Sequence, residues 1–390
     1  EFLKPYWEQR GGGSLLIEEL AIERVQINDF LFQDMMVSGQ SMGSEYLLTF
    51  EGDRLAGSIK FGDSDQIALD IDRLLLPVYN DYAAVNEPSK KNWALDDPIS
   101  SEIGAMLPRM SLSIDSIFLG TEDYGSWSFN LEPNVSGMEL TSVDGSIRGI
   151  SFKEASVKWD YQNNRTSFAN ELSIIDLGKV LPLWGFAPGV ETSSLGMNVD
   201  LSWPGSPLNV ELFSTEGEVV VQAGAGRFLD EETSANGLRL LSIFTPYAIM
   251  KRINNFDFSD IIGEGMSFDS LSGTTQISFG ELEFTKPLIV ESRSSTFEFG
   301  GKISLIDDSL NNEMIVTLPV SKSLPWYGLY LALANPVAGL GVVIGEQILR
   351  KPIEQFSSAK FQIKGTFEDP SVRFQSLWDT EIALPPKTSE

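Results

Sequence analysis

The chain has 390 residues, enough for two or three ordinary cores or for one long β-sheet. A formal charge of −27 makes nucleic acid a poor partner and argues against a polybasic grip on anionic head groups. Cysteine and histidine are both absent, which removes disulfides, thiol nucleophiles, thiolate or imidazole metal sites and the usual general base of hydrolases.

In chain order, residues 1–14 come first. Glu1–Arg10 followed by Gly11-Gly12-Gly13-Ser14 reads as an appended or tethered peptide on a flexible linker. From residue 15 a period of two dominates. Ile67, Leu69 and Ile71 alternate with Ala68, Asp70 and Asp72, and Met110, Leu112 and Ile114 alternate with Ser111, Ser113 and Asp115. Val157, Trp159 and Tyr161 follow the same rule, as do Met197, Val199, Leu201 and Trp203, and later Phe361, Ile363 and Phe367. Side chains on a strand point to opposite faces in turn, so each run is a strand with one apolar and one wet face.

Turn-forming residues separate the runs at Glu51–Arg54, Gln162–Arg165, Gly280-Glu281 and Asp307–Asn312, which suits a long antiparallel meander. Ile71-Asp72-Arg73-Leu74 has an echo in Ile114-Asp115-Ser116-Ile117, a weak sign of a repeated unit. Residues 77–108 break the alternation and are expected to hold loops or short helices.

Two stretches read as helical. The first, Leu238–Ile253, must bend or divide at Pro246. The second covers 324–350, and its portion from Leu324 to Gly345 carries no charge, long enough for a membrane span. Asn335-Pro336 at its centre and the glycines at 328, 339, 341 and 345 favour two short helices, roughly 325–334 and 337–350. An apolar cap on the sheet or an interfacial hairpin then replaces a single straight span.

Motifs for chemistry are lacking. Ala223-Gly224-Ala225-Gly226-Arg227 lacks the glycine spacing of a phosphate loop and reads as a turn. The acidic pairs Asp63/Asp65, Asp70/Asp72 and Asp307/Asp308 have no calcium-loop spacing, and no carboxylate pair is marked out for glycoside hydrolysis. The expectation is no enzyme, no cofactor and no metal. Arg350, Lys351, Lys360 and Lys364 form a local basic exception, read as a solvated strand face or as a contact for head groups. The informative feature is apolar surface. Strands with bulky inner faces and few helices to cover them must close into a barrel, pair as a sandwich, or fold over and leave a trough.

The order of several segments then decides among these. Asp200-Leu201-Ser202-Trp203-Pro204-Gly205-Ser206-Pro207, Gly226-Arg227-Phe228-Leu229, Gly237-Leu238-Arg239-Leu240-Leu241-Ser242-Ile243-Phe244 and Phe256-Asp257-Phe258-Ser259-Asp260 succeed one another. Gly265–Gly273, Leu333–Gly341 and Gly365–Val372 complete the series. This order resembles the C-terminal region of YhdP-type proteins of the AsmA superfamily, specifically over about 200–374 and more loosely over 15–199. The resemblance implies a mainly β fold, a long curved antiparallel sheet forming an open apolar trough of the β-taco kind, with short helices near the C-terminal end. It divides the chain into the 1–14 segment, β-trough repeats at 15–199, a C-terminal β region at 200–374 with the helices at 238–253 and 324–350, and a tail at 375–390.

The same resemblance implies a periplasmic protein of Gram-negative bacteria, tethered to the inner membrane by an N-terminal helix that this chain lacks. It implies movement of phospholipids between inner and outer membrane, with acyl chains sheltered in the groove. The expected groove lining is Ile67, Leu69, Ile71, Leu112, Ile114, Trp159, Val199, Leu201, Ile277, Phe279 and Phe299. The expected helical cap or membrane contact is Trp326, Tyr327, Leu331, Val337, Leu340, Val343 and Ile344. An envelope protein partner fits the competing reading, a periplasmic binding or assembly module that engages outer-membrane proteins through an exposed strand edge.

Overall fold

The computed structural model describes residues 16–27, 30–62, 66–76, 97, 99–184, 188–211, 213–229, 265–293, 295–319, 356–367, 369–377 and 381–382. They divide into two compact units, one of residues 1–170 and 202–210 and the other of 171–201 and 211–390. Both are mainly β, as the alternation requires. The expected helices at 238–253 and 324–350 lie outside the described residues.

Unit 1 is built on nine strands that follow one another in the sheet as they do in the chain. They are β1 (Leu16–Ile27), β2 (Phe30–Met42), β3 (Glu45–Glu51), β4 (Leu55–Gly62) and β5 (Gln66–Leu76), then β6 (Arg109–Leu119), β7 (Glu122–Pro133), β8 (Gly137–Ile147) and β9 (Ile150–Asp160). A short helix, α1 (Ser101–Met106), precedes β6. Neighbours pair antiparallel with one exception: β5 and β6 run parallel, with Leu69 opposite Leu112 and Ile71 opposite Ile114. The expected antiparallel meander holds in unit 1 apart from this one pair. Residues 77–108 are long enough to act as a crossover, which a parallel pair needs and a hairpin does not supply.

That parallel pair explains the sequence echo. Ile71 faces Ile114 and Leu74 faces Ile117, so the two similar motifs lie side by side, and the Ser116 hydroxyl donates to the Asp72 carbonyl at 2.9 Å. Both strands carry an extra residue at the same level, since the partners of β4 skip Asp72 and those of β7 skip 115–116. The register also slips within β7, β8 and β9, where Gly125, Ser142 and Glu154 take positive φ. Each bulge bends its strand and tightens the local twist. Lined up across β5–β9, they bend the sheet of unit 1 along one line into an open, curved trough. A bulge also shifts the alternation by one residue, so Leu74, Ile117, Val143 and Phe152, of opposite parity to Ile71, Ile114, Leu140 and Val157, lie on the apolar side.

Unit 2 follows with β10 (Arg165–Ile174), α2 (Leu177–Leu183), β11 (Val190–Thr192), β12 (Leu195–Pro204), β13 (Glu216–Ala223), β14 (Gly226–Leu229) and β15 (Gly265–Phe268). The remaining strands are β16 (Ser270–Ser278), β17 (Glu281–Glu291), β18 (Thr296–Ser304), β19 (Ser309–Pro319), β20 (Phe356–Thr366) and β21 (Pro370–Leu377). Strands β10 and β12 contribute residues to both units. From β13 the ladder runs to β16 and then in chain order to β21, antiparallel throughout.

Unit 2 has two layers. Phe284, Val290, Phe297, Phe299, Ile303 and Phe361 point from the large sheet into one core. Facing them are Val190, Phe228, Met266 and Phe268 from the small sheet β11–β14–β15, with Leu177 and Leu181 from α2. Ile303 and Ile363 are sealed completely from solvent. Helix α2 starts at Asp176, whose carboxylate caps the amide of Lys179 at 3.2 Å. Hydrogen bonds from the Lys179 side chain and amide hold that carboxyl below its ordinary range.

Candidate functional site

The feature that sets unit 1 apart is the face its strands share. Cross-strand register assembles it in rows. One row runs Ile17, Gly39, Leu48, Ile59, Leu69, Leu112 and Phe129 across β1–β7. The next runs Leu20, Val37, Phe50, Gly57, Ile71, Ile114, Trp127, Gly145 and Phe152 across β1–β9. A third joins Ile67, Met110, Leu131, Leu140 and Val157 across β5–β9. Every member of the three rows is apolar or glycine. With strands roughly 4.8 Å apart, nine of them carry this surface over roughly 38 Å.

Aromatic side chains add contacts within the face. Tyr46 and Phe61 stack with centroids 5.6 Å apart, and Trp127 meets Phe152 edge-on at 4.8 Å. Yet much of the face over β1–β6 is only partly sheltered, although Ile71 and Ile114 at its centre are 9% and 8% exposed. Leu48, Ile59, Leu69 and Leu112 are half-buried, because their shelter comes from neighbours in the same sheet. The reverse face is polar, with Lys60 paired to Glu45 at 2.7 Å, Lys158 to Glu139 at 3.0 Å, and Ser38 bonded to Thr49 at 2.6 Å. A sheet with one wet side and one greasy, half-open side can take hydrocarbon on the latter while staying soluble on the former.

Over β7–β9, Trp127, Phe129, Leu140 and Val157 stay half-buried, and one patch of the face changes character. Leu131, Met138 and Trp159 are buried at 7%, 5% and 1% exposure, packed with Ile99, Leu107 and Tyr161. Helix α1 lies on β7 and β8 there, capped by the Ser100 hydroxyl, which accepts from the Ile103 amide. The segment that leads in is pinned by Asp97, whose two oxygens accept from the amides of Ile99 (3.1 Å) and Ser206 (2.5 Å).

Of the expected lining residues, Ile67, Leu69, Ile71, Leu112 and Ile114 lie together on this face in register pairs. Trp159 shares the face but lies wholly beneath α1, its indole nitrogen donating to Asn164 Oδ1 at 3.2 Å. The rest belong to unit 2. Val199 is buried and Leu201 half-buried on β12, and Ile277 is half-buried opposite Gly217 and Leu282. Phe279 is half-exposed in the β16–β17 turn at φ 50°. Phe299 is enclosed in the two-layer core, edge-on to Phe284 at 5.4 Å. The expected cap residues Trp326, Tyr327, Leu331, Val337, Leu340, Val343 and Ile344 lie outside the described residues.

Sequence reasoning passed over Leu48, Phe50, Ile59, Trp127 and Phe129. Alternation at 46–50 is spoiled by Leu47, and at 55–61 by Gly57, so the signal lay in the pairing rather than in either strand. Lys360 departs from the solvated strand face expected of it. It is buried, with its ammonium 3.0 Å from Glu313 and 2.8 Å from the Glu381 carbonyl. Among the described residues no group of acidic side chains could hold a metal ion, and no helix is long and apolar enough to cross a membrane.

Comparison with known proteins follows the same line. A family model described as YhdP protein matches residues 16–372. The intermembrane phospholipid transporter YhdP of Escherichia coli (strain K12) is 29% identical over 244 residues, 61% of this chain and 19% of that protein. The match therefore spans less than a fifth of that relative's length. No solved structure matches.

Proposed function

The chain belongs to the YhdP family, and we propose that it is a section of a lipid-transport protein whose unit 1 face shields phospholipid acyl chains on their way between inner and outer membrane. In this reading the native protein is periplasmic, tethered to the inner membrane, and performs no bond chemistry. The observation that carries it is the half-open apolar face crossing β1–β6, in a family whose E. coli member is named for phospholipid transport.

The physical need is large. Moving a phospholipid through water exposes two chains of about fifteen methylenes, at about 0.8 kcal/mol each or roughly 24 kcal/mol together. A face without polar interruptions offsets most of that cost at every position, so a lipid can shift along it without a deep trap. The head group stays in solvent at the open side, consistent with the absence of a basic grip on that face.

The test is direct. The purified full chain, incubated with phosphatidylethanolamine vesicles and re-isolated, is extracted with organic solvent and weighed by native mass spectrometry. Bound phospholipid is the expected result. A folded chain that retains no lipid by either measure rules the reading out.

A further inference from the structure

We propose that hydrocarbon binding on the unit 1 face stops at the patch of Leu131, Met138 and Trp159 covered by α1, and that Gly104 on α1 is the positioning residue that sets the limit. The inference rests on the acyl-shielding reading and adds where on the chain that shielding begins and ends.

Two stretches of apolar surface stop being available, for different reasons. Within unit 1 the rows continue without a chemical break from β6 to β9, so the sequence gives no reason for a boundary there. The boundary is made by α1. The helix rests its backbone on the Trp159 and Tyr161 rings at Gly104, where a Cβ would lie 2.7 Å from Trp159 Cζ3 and 2.9 Å from Tyr161 Oη. No side chain larger than hydrogen fits between helix and ring, so glycine alone permits this depth of docking. Asp97 fixes the entry to the segment through its two backbone acceptances, and Ile99 and Leu107 fill the flanks of Trp159. Hydrocarbon cannot occupy a surface already covered at interior density.

Within unit 2 one face of the large sheet is closed by a second layer. Phe228 and Phe268 from the small sheet, with ring centroids 5.0 Å apart, share one core with Phe297 and Phe299, and all four are buried. That surface is a filled core and offers nothing to a lipid tail.

A phosphatidylcholine carrying a diazirine midway along one acyl chain reports the occupied surface without altering the protein. Vesicles containing it are mixed with the full chain and irradiated, and labelled peptides are mapped by mass spectrometry. The expected map has label on β3–β6, and none above background at Leu131, Met138 and Trp159 or on β18–β20. In Gly104→Leu, α1 is displaced and label extends onto Met138 and Trp159. Asp97→Ala, which loses the anchor without crowding the ring, extends the label in the same direction if Gly104→Leu fails to fold.

Label at Leu131, Met138 or Trp159, or on β18–β20, of the unaltered chain overturns the boundary while leaving acyl shielding intact. A folded Gly104→Leu chain whose map is unchanged overturns the role of Gly104. Label nowhere removes acyl shielding itself, and the boundary with it.

Discussion

Replacing Leu69 and Leu112 together by Asp places two carboxylates at the middle of the open face. The two leucines are register partners in β5 and β6, and both are half-buried. Each replacement removes about three apolar carbons that would touch a lipid tail, worth about 0.8 kcal/mol apiece when fully buried. Half of that shelter already exists without lipid, so about 1.2 kcal/mol is lost per site. The pair then loses about 2.4 kcal/mol, or about 50-fold in lipid retention.

Desolvating the carboxylates adds to the loss; the fold gives up part of the leucines' half-burial, and the side-by-side like charges add about 0.2–1 kcal/mol. Ser111→Asp is the control. It sits one residue away on the polar face, between Ala68 and Asn130, and carries the same new charge. Lipid retained after gel filtration, measured by extraction and mass spectrometry, should fall for the double variant and hold for the control. Equal retention in all three chains, with unchanged melting, would refute the assignment of the site to this face.

Other outcomes follow from the same geometry. Ile303→Ala, at a position with no solvent exposure in the two-layer core, should cost about 2–5 kcal/mol in guanidinium unfolding, whereas half-buried Leu112→Ala should cost less than half as much; equal costs would mean that unit 1 is also closed. Gly125→Val puts a branched side chain at φ 89° against the Ser146 backbone, and the left-handed strain alone should cost about 1–3 kcal/mol, seen as a lower melting midpoint. Glu298 is raised above the usual glutamate range by burial, so the native state favours its neutral form. Its contribution to stability is complete below the ordinary glutamate value and is lost as pH rises through the raised one. Glu298→Gln should therefore melt higher than the parent at pH 7, with the gap shrinking as pH falls to 4; a gap that widens on acidification would contradict the sign.

How far the sequence alone reaches can be seen at particular residues. Alternation at 67–71 and 110–114 identified the strands and their greasy side, because a strand's period of two makes the face readable from composition. The absence of histidine and cysteine removed imidazole and thiol chemistry before any fold was in view. The echo of Ile-Asp-x-Leu was visible as well, but its meaning was not. Only the structure shows that the two copies lie side by side in a parallel pair and carry aligned bulges, since register is decided between strands.

Burial was the quantity furthest from reach. Phe299 and Leu112 look alike in sequence, each a bulky residue on the inner side of an alternating strand. One is closed under a second sheet and the other is left half-open, because covering a face depends on segments distant in the chain. Gly104 makes the same point in reverse. A lone glycine in a poorly patterned stretch carries no signal, and its importance comes from the Trp159 ring, which the fold brings within contact from more than fifty residues away. Local pattern fixed which side of each strand repels water, and packing between remote segments decided which parts of that side remain half-open.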